Sequence, residues 1–344
     1  IISRYGLNPA QIMYVLDGKY GELMWLDASN PEVVDYLLKQ YHELVTNYDL
    51  DGIELDAIRY PISNLRKAKT IEDLHDFGYT QSALNDFKYK YNYQGNLKEE
   101  IFNNPELQSI WIEYRSNLIT EIVEKIRKVI LDVKPNMPFS VAVLVHPDNA
   151  INIACQNWKL WLEKGWFDFV SPMAYTTNLD LVKTSYEETE AIVSNTAFNL
   201  HGIAAIIEQG GTYQHHFEQM KFINQAGGLG SVLFSIRQFV QDEKTFEMVK
   251  VVYHNNPAIS PLAPINEIIE YVARLFTDRK ADSHAQQLNK WKVSSIDDHT
   301  LFLQFLNENK VNIAHLNSEF LFRVWDALIK TVEIKKNRLI MNKY

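Results

Sequence analysis

Short apolar runs alternate with amphipathic stretches from about residue 30 to residue 255. Five of these runs have the length of strands, and segments with helical spacing separate them. The predicted strands are DGIELDAIRYP (51–61), PFSVAVLVHP (138–147), FDFVSPMAYTTN (167–178), HGIAAIIEQGG (201–211) and GLGSVLFSIRQF (228–239). Apolar residues fill most of their positions, as expected of parallel strands covered on both faces. The pattern predicts an α/β fold built on a parallel sheet.

Helix signals precede the first two predicted strands. Asn30, Pro31 and Glu32 combine a capping side chain, a proline in the first turn and an acid near the positive end of the helix dipole. An apolar face with helical spacing follows this start. A second amphipathic stretch, from about Pro105 to Val133, is predicted to be the helix before the second strand.

The pattern changes after about residue 255. Segments such as INEIIEYVARLF and EFLFRVWDALIK have helical spacing without strand alternation. We therefore predict two domains, a barrel-type domain over residues 1–255 and a helical C-terminal extension over residues 256–344.

Parallel strands that alternate with helices form either a (β/α)8 barrel or a doubly wound sheet. No glycine-rich phosphate turn follows any of the five strands, whereas polar and aromatic residues gather just after their C-terminal ends. Active sites of barrels lie at that edge. The predicted fold class is therefore α/β of the (β/α)8 TIM-barrel type.

The connection over residues 62–104 is much longer than the loops of compact domains. It contains the aromatic residues Phe77, Tyr79, Phe87, Tyr89, Tyr91 and Tyr93. Their rings are suited to stacking on sugars over a barrel mouth, and equally to packing the connection against the protein. Both interpretations stay open at this point.

Composition narrows the classes of partner. The net charge of −9, without a long basic run, disfavours nucleic acids. The single Cys155 cannot form an intrachain disulfide, and no apolar stretch is long enough to span a membrane. Because the chain begins with Ile1 instead of Met, we expect a processed or trimmed N-terminus. An extracellular or cell-envelope location is favoured if an export signal was removed.

Glu54 and Asp56 lie two residues apart in the first predicted strand and therefore share one face of it. If Ile53 and Leu55 face the helices of a barrel, that shared face is the interior. Unpaired carboxylates there would be costly. Either a partner such as Arg59 neutralises them, or substrate and water reach them. Their place near the C-terminal end of the strand favours a functional role.

The segments GELMWLDASNPEV, YDLDGIELDAIRYP, DFVSPMAY and GSVLFSIRQF resemble the bacterial glycosyl-hydrolase-like family numbered ten. Members typically carry a WLD-P-x-NPEV-type segment and then a DGIH-hydrophobic-D-YIRYP segment. The matching positions are Trp25, Leu26, Asp27, Asn30, Pro31, Asp51, Gly52, Ile53, Asp56, Ile58, Arg59, Tyr60 and Pro61. The resemblance extends over about residues 5–240.

The resemblance implies a (β/α)8 barrel that acts on glycans, with a link to bacterial cell-wall polysaccharide in several members. It makes the five strands barrel strands four to eight, so we expect the first strands to be absent from this chain. A missing N-terminal segment or an oligomeric partner would then complete the barrel. Asp56 becomes the leading catalytic acid. Glu54 stands where members have a histidine, which leaves the proton donor open.

Two other sugar-cleaving barrels have similar strands. The chitinase pattern D-x-x-D-x-D-x-E is similar, but Ile58 stands in place of the essential glutamate. The amylase pattern DG-x-R-x-DA is also similar, but Glu54 replaces its arginine. Both comparisons point to Asp56.

Glycosidic cleavage pairs a proton donor with a nucleophile or base, so a second carboxylate is needed. Glu208, at the end of the predicted strand GIAAIIE, is the first candidate, and Glu54 is the alternative. A surface acid at the start of a loop is an equally good interpretation of Glu208.

The candidate substrate-binding residues are Arg59, Tyr60, His146, Tyr175 and Trp25. Arg59 and Tyr60 suit sugar hydroxyls or the carboxylate of an acidic sugar, and His146 suits a hydrogen bond or proton transfer. Tyr175 follows its strand and can line a subsite, and Trp25 can stack on a sugar. Structural roles stay open for these residues, including an ion pair of Arg59 with the strand acids.

No metal or other cofactor is predicted. His215 and His216 are adjacent at a helix start, where their side chains diverge, and no acid-rich ligand set surrounds them. The chain has no nucleophile elbow, phosphate-binding loop or Cys-His arrangement. We therefore predict a two-carboxylate glycoside hydrolase with a carbohydrate substrate. A non-catalytic glycan-binding or scaffolding barrel is the alternative, and an isomerase or lyase that uses the same acids is a weaker third reading.

Overall fold

The computed structural model describes residues 25–204, 211–235, 243–253 and 258–341. The chain divides into two compact units, Ile1–Phe139 with His146–Trp161 and Ser140–Val145 with Leu162–Tyr344.

The elements of the first unit are α1 (Pro31–Asn47), β1 (Ile53–Leu55), α2 (Gln81–Lys90), α3 (Leu97–Glu100), α4 (Pro105–Val133) and α5 (Pro147–Ala154). Helix α6 (Trp158–Glu163) begins in the first unit and ends in the second. The elements of the second unit are β2 (Phe139–Val143, whose first residue belongs to the first unit), β3 (Phe169–Ala174), α7 (Leu179–Val193), β4 (Phe198–Asn199), β5 (His201–Ala204), α8 (Tyr213–Gln225), β6 (Ser231–Phe234), α9 (Glu243–Tyr253), α10 (Ile265–Asp278), α11 (Asp282–Leu288), α12 (Ile296–Ala314) and α13 (Glu319–Met341).

The two helices predicted from capping signals and apolar spacing are confirmed as α1 and α4. The side chain of Asn30 accepts a hydrogen bond from the backbone N–H of Glu32 at 2.9 Å. Asn104 does the same for Leu107 at 3.0 Å. Each capping residue is followed by a proline, which has no N–H group of its own to satisfy. The first turn of both helices therefore has fewer unpaired N–H groups. Helix α1 packs against α4.

Strand β1 is shorter than its sequence pattern predicted. The backbone N–H of Ile53 donates to the carbonyl of Pro138 at 2.9 Å, which places β1 beside the start of β2. After Leu55 the chain leaves strand geometry. Of the two acids of the predicted strand, Glu54 is therefore the middle residue of a three-residue strand and Asp56 is the first residue after it.

The aromatic residues of the connection mostly pack the connection down. Phe87 is 1% exposed, and four rings surround it with centroids 5.0–5.5 Å away, those of Tyr91, Tyr93, Trp111 and Tyr114. Tyr79 is also buried and lies against Trp111. Tyr89 is the strongly exposed member of the set, and its ring points away from this cluster into solvent.

The strands of the second unit pair in parallel. The paired residues include Ser140 with Phe169, Phe169 with Phe198, Met173 with Gly202, and His201 with Ser231. Gly202 is required by this packing, because a Cβ there would lie 2.9 Å from the carbonyl oxygen of Pro172. The carboxyl ends of β3, β5 and β6 consequently lie at one edge of the sheet, called here the C-terminal edge.

Helices α7 and α8 cover one face of this sheet. Ile203 of β5 packs with Tyr186 of α7 and with Met220 and Ile223 of α8, and all four are buried. His201 is 0% exposed, and its Nε2 lies 2.9 Å from the hydroxyl oxygen of Ser185. Burial without a countercharge lowers the pKa of His201 to about 4.

The helices after residue 258 have a hydrophobic core of their own. It is formed by apolar residues of α10 to α13, including Ile269, Phe276, Phe302, Leu306 and Trp325. The indole N–H of Trp325 donates to the carbonyl of Leu306 at 2.9 Å, so its one polar group is satisfied in the core.

Helix α13 fastens the loops that lead into the strands. Arg338 pairs with Asp168 at 2.8 Å and donates hydrogen bonds to the carbonyls of Phe167 and Thr196. These residues come directly before β3 and β4. Lys330 adds an ion pair with Glu190 near the end of α7, at 2.7 Å. The helix therefore lies against the end of the sheet opposite its C-terminal edge.

The predicted α/β fold with a parallel sheet is confirmed, and the five predicted strands are found as β1, β2, β3, β5 and β6. Strand β4, which has two residues, was not predicted. Closure into a (β/α)8 barrel and the domain boundary at residue 255 remain predictions. Across the ranges that the structure describes, no helix combines the length and apolar character needed to cross a membrane.

Candidate active site

Two of the acids predicted as catalytic lie in and just after β1 of the first unit. Glu54 and Asp56 are both exposed, whereas Leu55 between them is 1% exposed. The Asp56 carboxylate accepts a hydrogen bond from the backbone N–H of Ala57 at 2.7 Å. Ala57 has a φ of 53°, in the left-handed region that disfavours a residue with a Cβ. Such backbone strain is often found at functional sites.

Arg59 lies close to this acid and is held by an aromatic ring. Its guanidinium carbon is 5.2 Å from the ring centroid of Trp25. Burial lowers the pKa of Arg59, and the negative charge of Asp56 opposes that shift. Its Nη1 donates a 3.4 Å hydrogen bond to the carbonyl of Tyr60, and its buried Nε has no hydrogen-bond partner among the described residues.

Asp27 of the WLD segment is buried and has a structural role. Its carboxylate accepts hydrogen bonds from the backbone N–H and the hydroxyl of Ser29, at 2.9 and 2.7 Å. Its other oxygen accepts a hydrogen bond from the hydroxyl of Thr80 at 2.6 Å, and Thr80 caps α2. Asp27 thus fixes the segment with Trp25 to the start of α2.

Tyr60, predicted to bind substrate, is 1% exposed. Its ring lies beside the guanidinium of Arg115, 5.5 Å from ring centroid to guanidinium carbon. Burial raises the pKa of Tyr60, with Arg115 opposing the shift, so the hydroxyl stays neutral. The structure therefore places Tyr60 beneath the exposed turn, where it packs and does not face solvent.

A buried ion pair lies next to Tyr60. Nη1 of Arg115 is 2.8 Å from the Asp76 carboxylate, and Asp76 also accepts a hydrogen bond from the hydroxyl of Tyr79. Burial by itself would lower the pKa of Arg115, but the interactions with Asp76, Cys155 and Tyr79 together outweigh it and the net shift is upward. Gly78 has a φ of +99°, and a Cβ there would lie 3.0 Å from the Tyr60 ring.

The end of α5 supports the segment after Tyr60. The backbone N–H groups of Tyr60 and Ser63 donate to the carbonyls of Ala154 and Ile153, at 2.9 and 2.7 Å. These carbonyls have no partner within the helix, so the two bonds satisfy both sides. Cys155 ends the helix in the left-handed conformation, and burial raises the pKa of its thiol to about 11. A buried, protonated thiol is a poor nucleophile.

The other predicted residues are distributed over both units. His146 occupies the N-cap position of α5, is half-buried, and makes no capping bond with its side chain. Glu208 lies outside the described residues. Tyr175 follows β3 at the C-terminal edge of the second unit, and its ring stacks on that of Phe234.

The histidine pair is explained by helix structure. His215 accepts a hydrogen bond from the backbone N–H of Thr212 at 3.0 Å and so belongs to the cap of α8. His216 is buried. Within the described ranges, no group of three or more potential ligands is arranged to hold a metal ion.

Sequence reasoning missed the Asp76–Arg115 pair and Phe234. The two charged residues are 39 positions apart, and nothing in the local pattern links them. Phe234 has the same apolar character as its strand neighbours, so its exposure at the end of β6 left no signal beyond its terminal place in the strand.

Chemically, β1 and the turn after it present two solvent-accessible carboxylates, and the Arg59 guanidinium lies near that of Asp56. Carboxylates can donate or accept protons or attack an electrophilic carbon, and a guanidinium can bind hydroxyls or an anion. The arrangement is suited to acid/base chemistry on a polar polymer.

Two comparisons with known proteins bear on the family of the chain. The model of the family described as glycosyl hydrolase-like 10 matches residues 8–205, more than half of the chain. An S-layer-related protein of Niallia circulans is 33% identical over 116 residues, which are 32% of this chain and 7% of that protein. The chain thus spans a small part of the length of that curated relative. The resemblance inferred from the WLD and DGIELD segments is confirmed: the chain belongs to the glycosyl hydrolase-like 10 family.

Proposed function

We propose that this protein is a glycoside hydrolase that cleaves a polysaccharide by a two-carboxylate mechanism, with Asp56 as the leading acid. The observation that carries the proposal is the exposed Asp56 carboxylate at the end of β1, beside the Trp25-stacked Arg59, in a chain of the glycosyl hydrolase-like family. A carboxylate that reacts with a substrate must be accessible to solvent, whereas a carboxylate in a structural ion pair need not be.

The second carboxylate is Glu54 or Glu208. Glu54 is exposed on β1, two residues before Asp56. A separation of about 5.5 Å between the paired carboxyl groups would imply retention of configuration, and a wider one inversion. One of the two must hold a proton near neutral pH so that it can protonate the leaving oxygen.

The binding groups of the proposal are Arg59, His146 and Tyr175, and Trp25 and Tyr60 support them. Arg59 binds sugar hydroxyls or the carboxylate of an acidic sugar through its guanidinium group. Trp25 holds Arg59 in place. His146 contributes a hydrogen bond or a proton. Tyr60, being buried, acts by supporting the turn, and Tyr175 acts in a subsite.

We further propose a (β/α)8 barrel over residues 1–255, in which β1, β2, β3, β5 and β6 are strands four to eight. The S-layer-related name of the relative supports a glycan of the bacterial cell envelope as substrate, although only 7% of that protein is matched. The parallel sheet and the family match support the barrel, and the family match supports a glycan substrate.

A second candidate is a glycan-binding barrel without catalysis. Glu54 favours it, because this acid stands where family members carry a histidine. A binder would retain polymer without shortening it, so the two candidates differ in one measurable product.

The test incubates the full chain with glycan strands from bacterial peptidoglycan, chitin oligosaccharides and cellulose oligosaccharides. Release of reducing ends and shortening of the polymer are measured in parallel with binding. Hydrolysis predicts new reducing ends that disappear in Asp56→Asn and persist in Asp49→Asn, an exposed acid of the neighbouring loop. Binding with unchanged polymer length would establish the second candidate instead, and turnover by Asp56→Asn at the wild-type rate would remove Asp56 from the mechanism.

A further inference from the structure

Two aromatic rings stack at the C-terminal edge of the second unit. The ring centroids of Tyr175 and Phe234 are 5.3 Å apart, and the ring planes differ by 16°. Tyr175 directly follows β3, and Phe234 is the last residue of β6. Strand β5 lies between these strands and pairs in parallel with both. The pair therefore bridges across one strand at the edge where parallel-stranded barrels carry their sites.

The two rings differ in their access to solvent. Phe234 is 46% exposed, whereas Tyr175 is half-buried. In the stacked pair Tyr175 backs one side of Phe234, so the apolar surface left to solvent belongs mainly to Phe234. A ligand that covered the ring of Phe234 would remove this apolar area from water, which favours binding.

The backbone under Tyr175 is held firmly. The N–H groups of Tyr175 and Thr176 donate to the carbonyls of Met173 and Ala174, both at 2.9 Å. The side-chain amide of Gln219, which is 1% exposed, donates to the carbonyl of Thr176 at 2.7 Å. A ring whose position is fixed in advance loses little conformational freedom when it contacts a ligand.

We propose that Phe234, backed by Tyr175, is a stacking platform for a pyranose ring of a glycan. The C–H groups on one face of a pyranose are weakly positive and apolar, and they match the negative face of an aromatic ring. This inference rests on the proposed function for the chemical class of its ligand, but it concerns binding and does not require hydrolysis.

Phe246 of α9 shows why exposure alone does not make such a platform. It is 48% exposed, almost the same fraction as Phe234. The ammonium group of Lys250 lies 4.7 Å from its ring centroid, so one face of Phe246 is already covered by a cation. It lies on a helix and provides a control that is matched in residue type and exposure.

The experiment measures binding of the full chain to peptidoglycan glycan strands, chitohexaose and cellohexaose by calorimetry, alongside reducing-end release. Phe234→Ala is expected to weaken binding of the preferred probe about three- to tenfold, the range that one aromatic contact supports. Phe234→Trp is expected to keep or strengthen it, and Tyr175→Leu to weaken it less than Phe234→Ala. Phe246→Ala should stay within about twofold of wild type.

The outcomes separate this inference from the proposed hydrolysis. Weaker binding by Phe234→Ala without any cleavage by the wild type would uphold the platform and reject the hydrolase. Cleavage with unchanged affinity in Phe234→Ala would overturn the platform and leave the hydrolase standing. If the wild-type chain binds none of the three probes, the platform is also overturned. Binding of another protein at Phe234 would assign the exposed ring to a protein interface.

Discussion

Nη1 of Arg115 lies 2.8 Å from the carboxylate of Asp76, and the two side chains are 1% and 0% exposed. The same nitrogen donates to the carbonyl of Phe77, and the hydroxyl of Tyr79 donates to Asp76. The pair thus joins α4 to the long connection below the turn that carries Asp56. A buried charge pair of this kind is stabilising only while both members are present.

Asp76→Asn should therefore destabilise the protein by about 3–5 kcal/mol, because it leaves the Arg115 guanidinium buried without a countercharge. The measurement is the free energy of unfolding in urea. Asp35→Asn, which breaks the exposed pair of Asp35 with Lys39, is the control and should change stability by less than about 0.5 kcal/mol.

A double replacement sharpens this test. Asp76→Leu combined with Arg115→Met removes both charges and should be clearly more stable than Asp76→Asn alone. A loss in Asp76→Asn no larger than in Asp35→Asn would show that the pair does not carry the energy assigned to it.

The two acids of β1 should differ in their effect on turnover. Asp56→Asn is expected to lower kcat at least about 100-fold, because it removes the leading acid or base of the mechanism. If Glu54 is its partner, Glu54→Gln lowers kcat to a similar extent. If Glu208 is the partner, Glu208→Gln does so and Glu54→Gln changes mainly KM.

These variants are expected to fold normally, since both Glu54 and Asp56 are exposed. Rates of reducing-end release for the three variants, with melting temperature as the check on folding, identify the pair. Equal activity in all three variants and the wild type would contradict the two-carboxylate mechanism.

His201 should make the protein less stable in acid. Its pKa in the fold is about 4, below the ordinary value of 6.5, because the ring is buried beside Ser185 and Tyr186. Above pH 6.5 the ring is neutral in both states, and no penalty arises. As the pH falls from 6.5 to 4 the unfolded chain takes up a proton that the fold excludes, so stability declines by up to about 3 kcal/mol.

The measurement compares the loss of stability between pH 7 and pH 4.5 in the wild type and in His201→Gln. The variant should lose less, although it starts from a lower stability because it disturbs a buried site. His42→Gln, at an exposed histidine, should lose as much as the wild type. An identical loss in His201→Gln would contradict the assignment.

Arg338 should contribute more to stability than another arginine of the same helix. Arg338→Met leaves Asp168 and the carbonyls of Phe167 and Thr196 without their donor, which should cost about 2–4 kcal/mol. Arg323→Met removes a pair with Glu319 that is largely exposed, and should cost less than about 1 kcal/mol. Urea unfolding of the two variants gives the comparison, and equal losses would refute it.

The sequence predicted those features that depend on local chemistry. Asn30 and Asn104 precede prolines, and both cap their helices as such residues do. Apolar runs located the strands that became β2, β3, β5 and β6. The paired acids of the DGIELD segment led to the family that the comparison then showed.

Features that depend on distant contacts could not be predicted in this way. Whether Phe87 would stack on a sugar or pack in the interior was decided by Trp111 and Tyr114, which α4 brings to it. Tyr60 comes a few residues after two exposed acids, yet it is buried and packs against the guanidinium of Arg115. An apolar pattern marks a strand but does not say which of its residues stays open to solvent.

The hydrogen bonds between α13 and the loops that lead into β3 and β4 have a consequence for folding of the nascent chain. Phe167, Asn195 and Thr196 are synthesised well before Asn337 and Arg338. Arg338 donates hydrogen bonds to the carbonyls of Phe167 and Thr196, and Asn337 donates one to the carbonyl of Asn195. The sheet of the second unit therefore emerges from the ribosome before its hydrogen bonds with α13 can form. Until Arg338 has been synthesised, the end of the sheet opposite its C-terminal edge depends on solvent or a chaperone for the hydrogen bonds that α13 later donates to it.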